Sequence, residues 1–207
     1  MVALVTTKNI IIQKSFVNKK LDNLFMQNPI KGKYANLFHL ERSDMRFVYH
    51  LRKSRATYLG ATDEDINKQF EYFDSYSKRF NNQEEIYFKI VDPLIGKLVG
   101  VTRLTQLKQD EFNFESGVVE SDSSPNCYLD TMFICYRIGF EYLEKTTSGI
   151  WKVDKNNKRM LKLHELVGIG EIIDGDSRFV YLRGTQIRFY ENFEKYRQLG
   201  FGEFNAF

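Results

Sequence analysis

Residues 111–170 constrain the fold more than any other stretch. Phe112–Val119 is an extended apolar run, Glu120–Pro125 is turn chemistry, and Asn126–Glu144 has the apolar spacing of a long helix. Ile150–Val153 reads as a short strand, the Asn156–Asn157 pair opens a second amphipathic helix, and Gly168 closes it. This order sets a strand, a turn and a helix N-terminus beside a second strand–helix unit. The unpaired N–H groups of a helix N-terminus suit an anion such as a phosphate. The second unit can then bring an acid or a base to the same edge.

The rest of the chain supplies the remainder of an α/β domain. Ile10–Ile12 reads as a short strand, and Val17, Leu21, Leu24 and Phe25 recur at helical spacing until Asn28–Pro29. Residues 1–32 are therefore expected to form a helical appendage to a main domain over 33–207. Lys33–Leu40 is the expected first strand, with Ser43 capping a helix that runs to about Arg52. Thr62 caps a second helix, which carries acids in its first turn and ends at Asn81–Asn82. Ile86–Val91, Lys97–Leu107 and Phe112–Val119 form an antiparallel meander, with Asp92–Gly96 as its first turn. Arg178–Arg183 is a late strand, and Ile187–Leu199 is a final helix closed by Gly200. Helices first, then a meander, then helices alternating with strands predict one α/β domain around a central, mixed but mostly antiparallel, twisted sheet.

Composition narrows the chemistry. With 207 residues, 43% hydrophobic and 28% charged, and no long uncharged apolar run, the chain reads as globular, without a membrane span. No secretory signal is legible at the start, so the expectation is a cytoplasmic protein. Cys127 and Cys135 lie eight apart on one predicted helix, roughly 12 Å by helical rise, too far for a disulfide. His39, His50 and His164 have no metal-site spacing, so no metal is expected. Net charge is +3, but residues 1–60 carry +8 and residues 61–130 carry −7. A basic first third either attracts a nucleotide diphosphate or is a solvated face offset by an acidic one. The Lys and Arg residues are scattered, and no nucleic-acid-binding motif is present.

The order of two helices after the first strand, followed by a three-strand meander, resembles the GNAT superfamily of acyl-coenzyme A transferases. Tyr87-Phe88-Lys89-Ile90-Val91-Asp92 followed by Gly100-Val101-Thr102-Arg103 is similar to two successive strands of that fold. Asn157-x6-His164-x3-Gly168-Ile169 looks like its late motif, in which Asn opens a helix and a protonating aromatic residue stands seven places on. Within the superfamily, Lys33–Arg52 and Phe112–Val119 are most similar to the branch that N-acylates nucleotide-linked amino sugars in bacterial surface-polysaccharide synthesis. One departure is plain. The usual pyrophosphate loop, Arg/Gln-x-x-Gly-x-Gly/Ala, is replaced here by Asp122-Ser123-Ser124-Pro125-Asn126-Cys127-Tyr128, without Arg or Gly.

The resemblance implies transfer of an acetyl or 3-hydroxybutanoyl group from acyl-CoA to the amine of a dTDP- or UDP-linked amino-dideoxy sugar, by direct attack, in a homo-oligomer such as a dimer. It implies a coenzyme A site at Gly117, Val118, Val119, Ser123, Ser124, Asn126, Cys127, Tyr128 and Asn157, with backbone N–H near Gly117–Val119 polarising the carbonyl. His164 takes the place of the residue that protonates the coenzyme A sulfur, or else is a buried helix histidine with a satisfied hydrogen bond. Glu115 deprotonates the sugar ammonium, or else faces outward from its strand. Arg52, Arg55 and Tyr58, after the first helix, overhang the acceptor. Asp130, early in the long helix, is read as complementing the dipole. Two alternatives stand beside this reading: acylation of a protein N-terminus or polyamine, and a degenerate, non-catalytic binding domain.

Overall fold

The computed structural model describes residues 19–56 and 65–204. The expected strand at Ile10–Ile12, the Thr62 cap and Tyr58 lie outside these residues. A helix over residues 19–26 (α1) leads to two short strands, β1 (Ile30–Lys31) and β2 (Asn36–His39). Helices α2 (Met45–Ser54) and α3 (Asn67–Asn81) precede a meander of β3 (Glu85–Asp92), β4 (Lys97–Thr105) and β5 (Glu111–Val119). Then come α4 (Pro125–Arg137), β6 (Thr147–Ser148), β7 (Trp151–Asp154), α5 (Lys158–Val167), β8 (Gly170–Gly175), β9 (Phe179–Gly184) and α6 (Gln186–Arg197).

The strands form two sheets, one ordered β1-β2-β3-β4-β5-β6 and the other β7-β9-β8. All pairs are antiparallel except β5 with β6, which meet over only Glu111↔Thr147 and Phe112↔Ser148. Gly149 N–H then donates to the Phe112 carbonyl (2.8 Å), and past that point β5 and β7 diverge. One face of the large sheet carries the main core: Leu21 and Leu24 of α1, Phe133 and Tyr136 of α4, and Phe189 and Phe193 of α6, around Phe88 and Phe112. The other face holds a smaller cluster, in which Met45, Val48, Leu51 and Tyr76 from α2 and α3 cover Tyr87, Val101 and Val118. The periodicity of both helices and strands thus has a partner on each face.

Several local expectations are corrected. The first strand is shorter than Lys33–Leu40, because residues 32–35 turn inward to meet Asp130. Ser43 does not cap α2: a 3-10 turn over Arg42–Asp44 precedes it, and the Asp44 carboxylate accepts the Glu41 N–H (2.8 Å). The long helix does not run unbroken to Glu144. It passes into a π turn over Ile138–Tyr142, where a Cβ on Gly139 would lie 2.1 Å from the Phe112 ring. Strand β8 carries no local sequence signal, because Ile172 and Ile173 are exposed among acids and offer no buried alternation. Asn157 does cap α5, accepting the Met160 N–H (3.2 Å), and Gly168 ends it at φ +72°.

Asp130 does more than complement a helix dipole. Its buried carboxylate accepts N–H bonds from Tyr34 (2.7 Å), Ala35 (3.0 Å) and Gly202 (2.6 Å). A side chain at Gly32 would come within 2.8 Å of Oδ2, the oxygen that accepts from Tyr34 and Ala35, so the close approach requires glycine there. The bond set ties two distant segments, residues 34–35 and Gly202, to α4. Asp130→Ala strands three backbone donors and is expected to lower the unfolding free energy by about 3 kcal/mol. Urea denaturation of the variant beside the wild type measures that loss.

Candidate active site

The site grows from a break in the sheet. Opposite Thr102 on β4, strand β5 places two residues, 116 and 117, because Val101 pairs with Val118 while Arg103 pairs with Glu115. This β-bulge re-aims the backbone of β5 at the edge that faces β7. Bulge and divergence together leave N–H and C=O groups without strand partners along a wedge between the two sheets.

Two cavities open into the wedge. The first, of ≈ 450 Å³, lies among β5 (Asn113, Glu115), β7 (Trp151, Lys152), α5 (His164) and Tyr181 of β9. The second, of ≈ 460 Å³, runs along Val118–Ser124 and the outer side of α5, with Arg55, Arg159 and Lys162 at its rim. Gly117, Tyr128 and Met160 line both. A Cβ on Gly117 would sit 3.0 Å from the Tyr128 hydroxyl, so the missing side chain keeps the junction open. Helix α5 serves both cavities through adjacent faces: Met160 and His164, four residues apart, point to the first, and Arg159, Leu163 and Leu166 to the second.

Most of the expected cofactor residues gather at the second cavity: Gly117, Val118, Val119, Ser123, Ser124, Tyr128 and Asn157. The turn chemistry differs from expectation. Ser123 directs both its N–H (3.3 Å) and its hydroxyl (2.8 Å) to the Glu120 carbonyl. Ser124 caps α4 by accepting the Asn126 N–H (3.2 Å), and Cys127 N–H goes to the Ser124 carbonyl. Several donors of this turn are therefore spent on the turn itself rather than free for an anion. Cys127 is corrected outright: its side chain is fully buried in the core, where burial pushes the thiol up to about 12. Positive charge is supplied instead from Arg55, at the C-terminal end of α2, and from Arg159 and Lys162 on α5, two elements far apart in the chain. Arg55 was expected over the acceptor; it stands in this cavity and donates to the Val119 carbonyl (3.2 Å). Arg52 lines neither cavity.

In the first cavity the Glu115 side chain is 34% exposed and is held by three side-chain donors. It accepts from Arg103 (2.5 Å), Asn113 (3.2 Å) and Thr105 (3.3 Å). Arg103 also donates to Tyr72 (2.7 Å) and lies 3.4 Å from Glu85, which pairs with Arg79 (2.5 Å). The result is a belt of two carboxylates and two guanidiniums, balanced in charge. His164 is 7% exposed, and its ring lies 5.6 Å from that of Trp151. Burial pushes its imidazolium down to about 4, so the ring is neutral near neutral pH. Among the described residues, no group of three His, Cys, Asp or Glu is placed to hold a metal ion, and no helix is long and apolar enough to cross a membrane.

The depressed His164 pKa has a sign that can be tested. The neutral form is favoured in the fold, so its stabilisation is present above the unfolded value of 6.5 and is lost as pH falls toward 4. Between pH 7 and pH 5 that loss amounts to about 2 kcal/mol. Urea unfolding at both pH values should show it in the wild type and show less of it in His164→Gln, whose side chain does not titrate.

No protein-family model matches the chain, and no curated protein matches it. Solved structures do. The apo form of FdhC, a nucleotide-linked sugar GNAT, superposes with a TM-score of 0.72 at 23% identity, covering 84% of this chain and 99% of its own. A GCN5-related N-acetyltransferase from Brucella melitensis gives 0.62 at 17% identity, covering 83% and 84%. The spermidine N-acetyltransferase of Vibrio cholerae, solved with CoA and spermine, gives 0.59 at 19% identity, covering 77% and 99%. The chain has the GNAT fold, with its bulged β5 and diverging β7 forming the walls of the wedge.

Proposed function

We propose that this chain is an acyl-CoA-dependent N-acyltransferase acting on the amino group of a dTDP- or UDP-linked amino-dideoxy sugar. The observation that carries the proposal is the meeting of two cavities at the bulged edge of β5. One is rimmed by cations and suits a phosphorylated thioester; the other holds a carboxylate and a neutral imidazole and suits an amine. The likeness to FdhC supports the sugar over other amines. The charge-balanced belt around Glu115 supports it too, because a polyamine needs uncompensated carboxylates and here each has its guanidinium.

The residues divide the work. Backbone N–H at the bulge near Gly117 polarises the thioester carbonyl; a preorganised donor of this kind contributes about 3 kcal/mol. Glu115, fixed by Arg103, orients the amine. Net transfer moves one proton from the attacking nitrogen to the leaving sulfur. A neutral imidazole carries one lone pair and one N–H, so His164 can take a proton at one nitrogen and release another from its second. Arg55, Arg159 and Lys162 hold the phosphates in place of the absent glycines. Trp151 Nε1 and Asn113 Oδ1 are buried without a hydrogen-bond partner, and both residues line the first cavity. A hydroxyl on the acyl chain would pair a donor and an acceptor there, which supports 3-hydroxybutanoyl over acetyl.

Thiol release and product mass, with acetyl- or 3-hydroxybutanoyl-CoA against amino-dideoxy nucleotide sugars, spermidine and a peptide, test the reading. Acyl transfer to a nucleotide sugar is expected; transfer only to spermidine or peptide, or coenzyme A binding without turnover, would overturn it. His164→Ala should lower kcat at least about tenfold, or about 1.4 kcal/mol, with the KM for acyl-CoA nearly unchanged. Arg159→Glu should do the reverse, raising that KM about tenfold at nearly constant kcat.

A further inference from the structure

The outer wall of the first cavity belongs to the small sheet, and no expected site residue lies on it. Lys152 on β7 pairs across the ladder with Tyr181 on β9, so the two side chains leave the same face. Both line the cavity, across from Asn113 and Glu115. Phe179 and Arg183 extend the face at two-residue spacing along β9. Carboxylates are present as well. Glu111 sits 3.6 Å from Arg183, and Asp176 accepts the Tyr181 hydroxyl (2.6 Å). The Lys152 ammonium, in contrast, has no carboxylate within ion-pair distance among the described residues and rests 4.7 Å from the Phe179 ring. The Asp176 bond fixes the phenol of Tyr181, so its ring presents a set plane to the cavity.

The cavity is therefore polar in a definite sense, with a carboxylate on the β5 wall and an unneutralised cation beside an aromatic plane on the β7–β9 wall. We propose that Lys152 and Tyr181 form the subsite for the acceptor's nucleotide diphosphate, the ammonium taking diphosphate oxygens and the phenol ring stacking on the nucleobase. This rests on the acyltransfer reading above and adds to it what would select the acceptor. An amino sugar carrying a nucleoside diphosphate has an amine at one end and two phosphates beyond it, matching the cavity's order of charge. A polyamine presents only cations to Lys152 and is repelled.

Steady-state kinetics with the nucleotide-linked amino sugar and with the same amino sugar lacking the nucleotide test this. For the linked acceptor, Lys152→Ala should raise KM about tenfold and Lys152→Glu about a hundredfold, with kcat and the KM for acyl-CoA within about twofold. Tyr181→Ala should raise the same KM about fivefold, while Tyr181→Phe, which keeps the ring and loses only the bond that sets its plane, should raise it about twofold. The unlinked sugar should show no change in any variant. A Lys152→Glu enzyme with an unaltered KM for the linked sugar overturns the subsite and leaves the acyltransfer reading standing. So does a wild type that uses linked and unlinked sugars with equal KM. A wild type that acylates only spermidine overturns both.

Discussion

The bond from Gly149 N–H to the Phe112 carbonyl is the last main-chain bond between β5 and the segment that leads into β7. Before it, β5 and β6 run parallel; after it, β5 and β7 part and their inner edges lose strand partners. Exposed strand edges are costly to leave unused, because their N–H and C=O groups still need hydrogen bonds. The fold makes a site of that deficit. A bulge at residues 116–117 tilts one edge, and α5 fills part of the gap from behind with Met160 and His164. Phe112 is central to both outcomes. Its carbonyl accepts the last bond, and its ring occupies the space that Gly139 leaves, where α4 widens into a π turn.

Charge at the site is arranged by containment. Glu115 does not stand as an isolated carboxylate; it ends a chain of alternating charges running from Arg79 through Glu85 and Arg103. Such a belt holds rotamers by several bonds at once, so the carboxylate is positioned before any ligand arrives. His164 is the opposite case. Nothing charged opposes its desolvation, and the ring stays neutral because the surroundings are apolar. The two groups are thus held by different physics: Glu115 by a set of hydrogen bonds and an ion pair, His164 by an apolar surrounding that excludes charge.

Elements whose pattern is local were legible in the sequence, and features made by distant contacts were not. The meander, the Asn157 cap, the Gly168 stop and the order of units through residues 111–170 depend on neighbours a few positions apart, and they stand nearly where periodicity and cap chemistry put them. Asp130 looked like a dipole residue because its three partners lie 72 to 96 positions away. Ser123 and Ser124 were expected at the coenzyme A site, and a sequence does not show that Ser123 turns back on Glu120. Arg159, Lys162, Lys152 and Tyr181 carry no local signal, because what brings them to the cavities is the packing of α5 and the pairing of β7 with β9. The i, i+4 spacing of Met160 and His164 on an Asn-capped helix was the available sign that α5 lines a site. The ladder partner of Lys152 was not readable, because β8 and the register of β9 were not.

One helix serving two cavities has a further consequence. Met160 lies on the boundary between the faces of α5, and Arg159 and His164 lie on either side of it. A rotation of α5 by a few degrees would withdraw one row of side chains while advancing the other. On the acyltransfer reading proposed above, donor and acceptor preference are therefore not separate traits. A substitution that resizes one chamber is felt in its neighbour through a rigid axle, so change in specificity would have to proceed by paired adjustments on the two sides of a single turn.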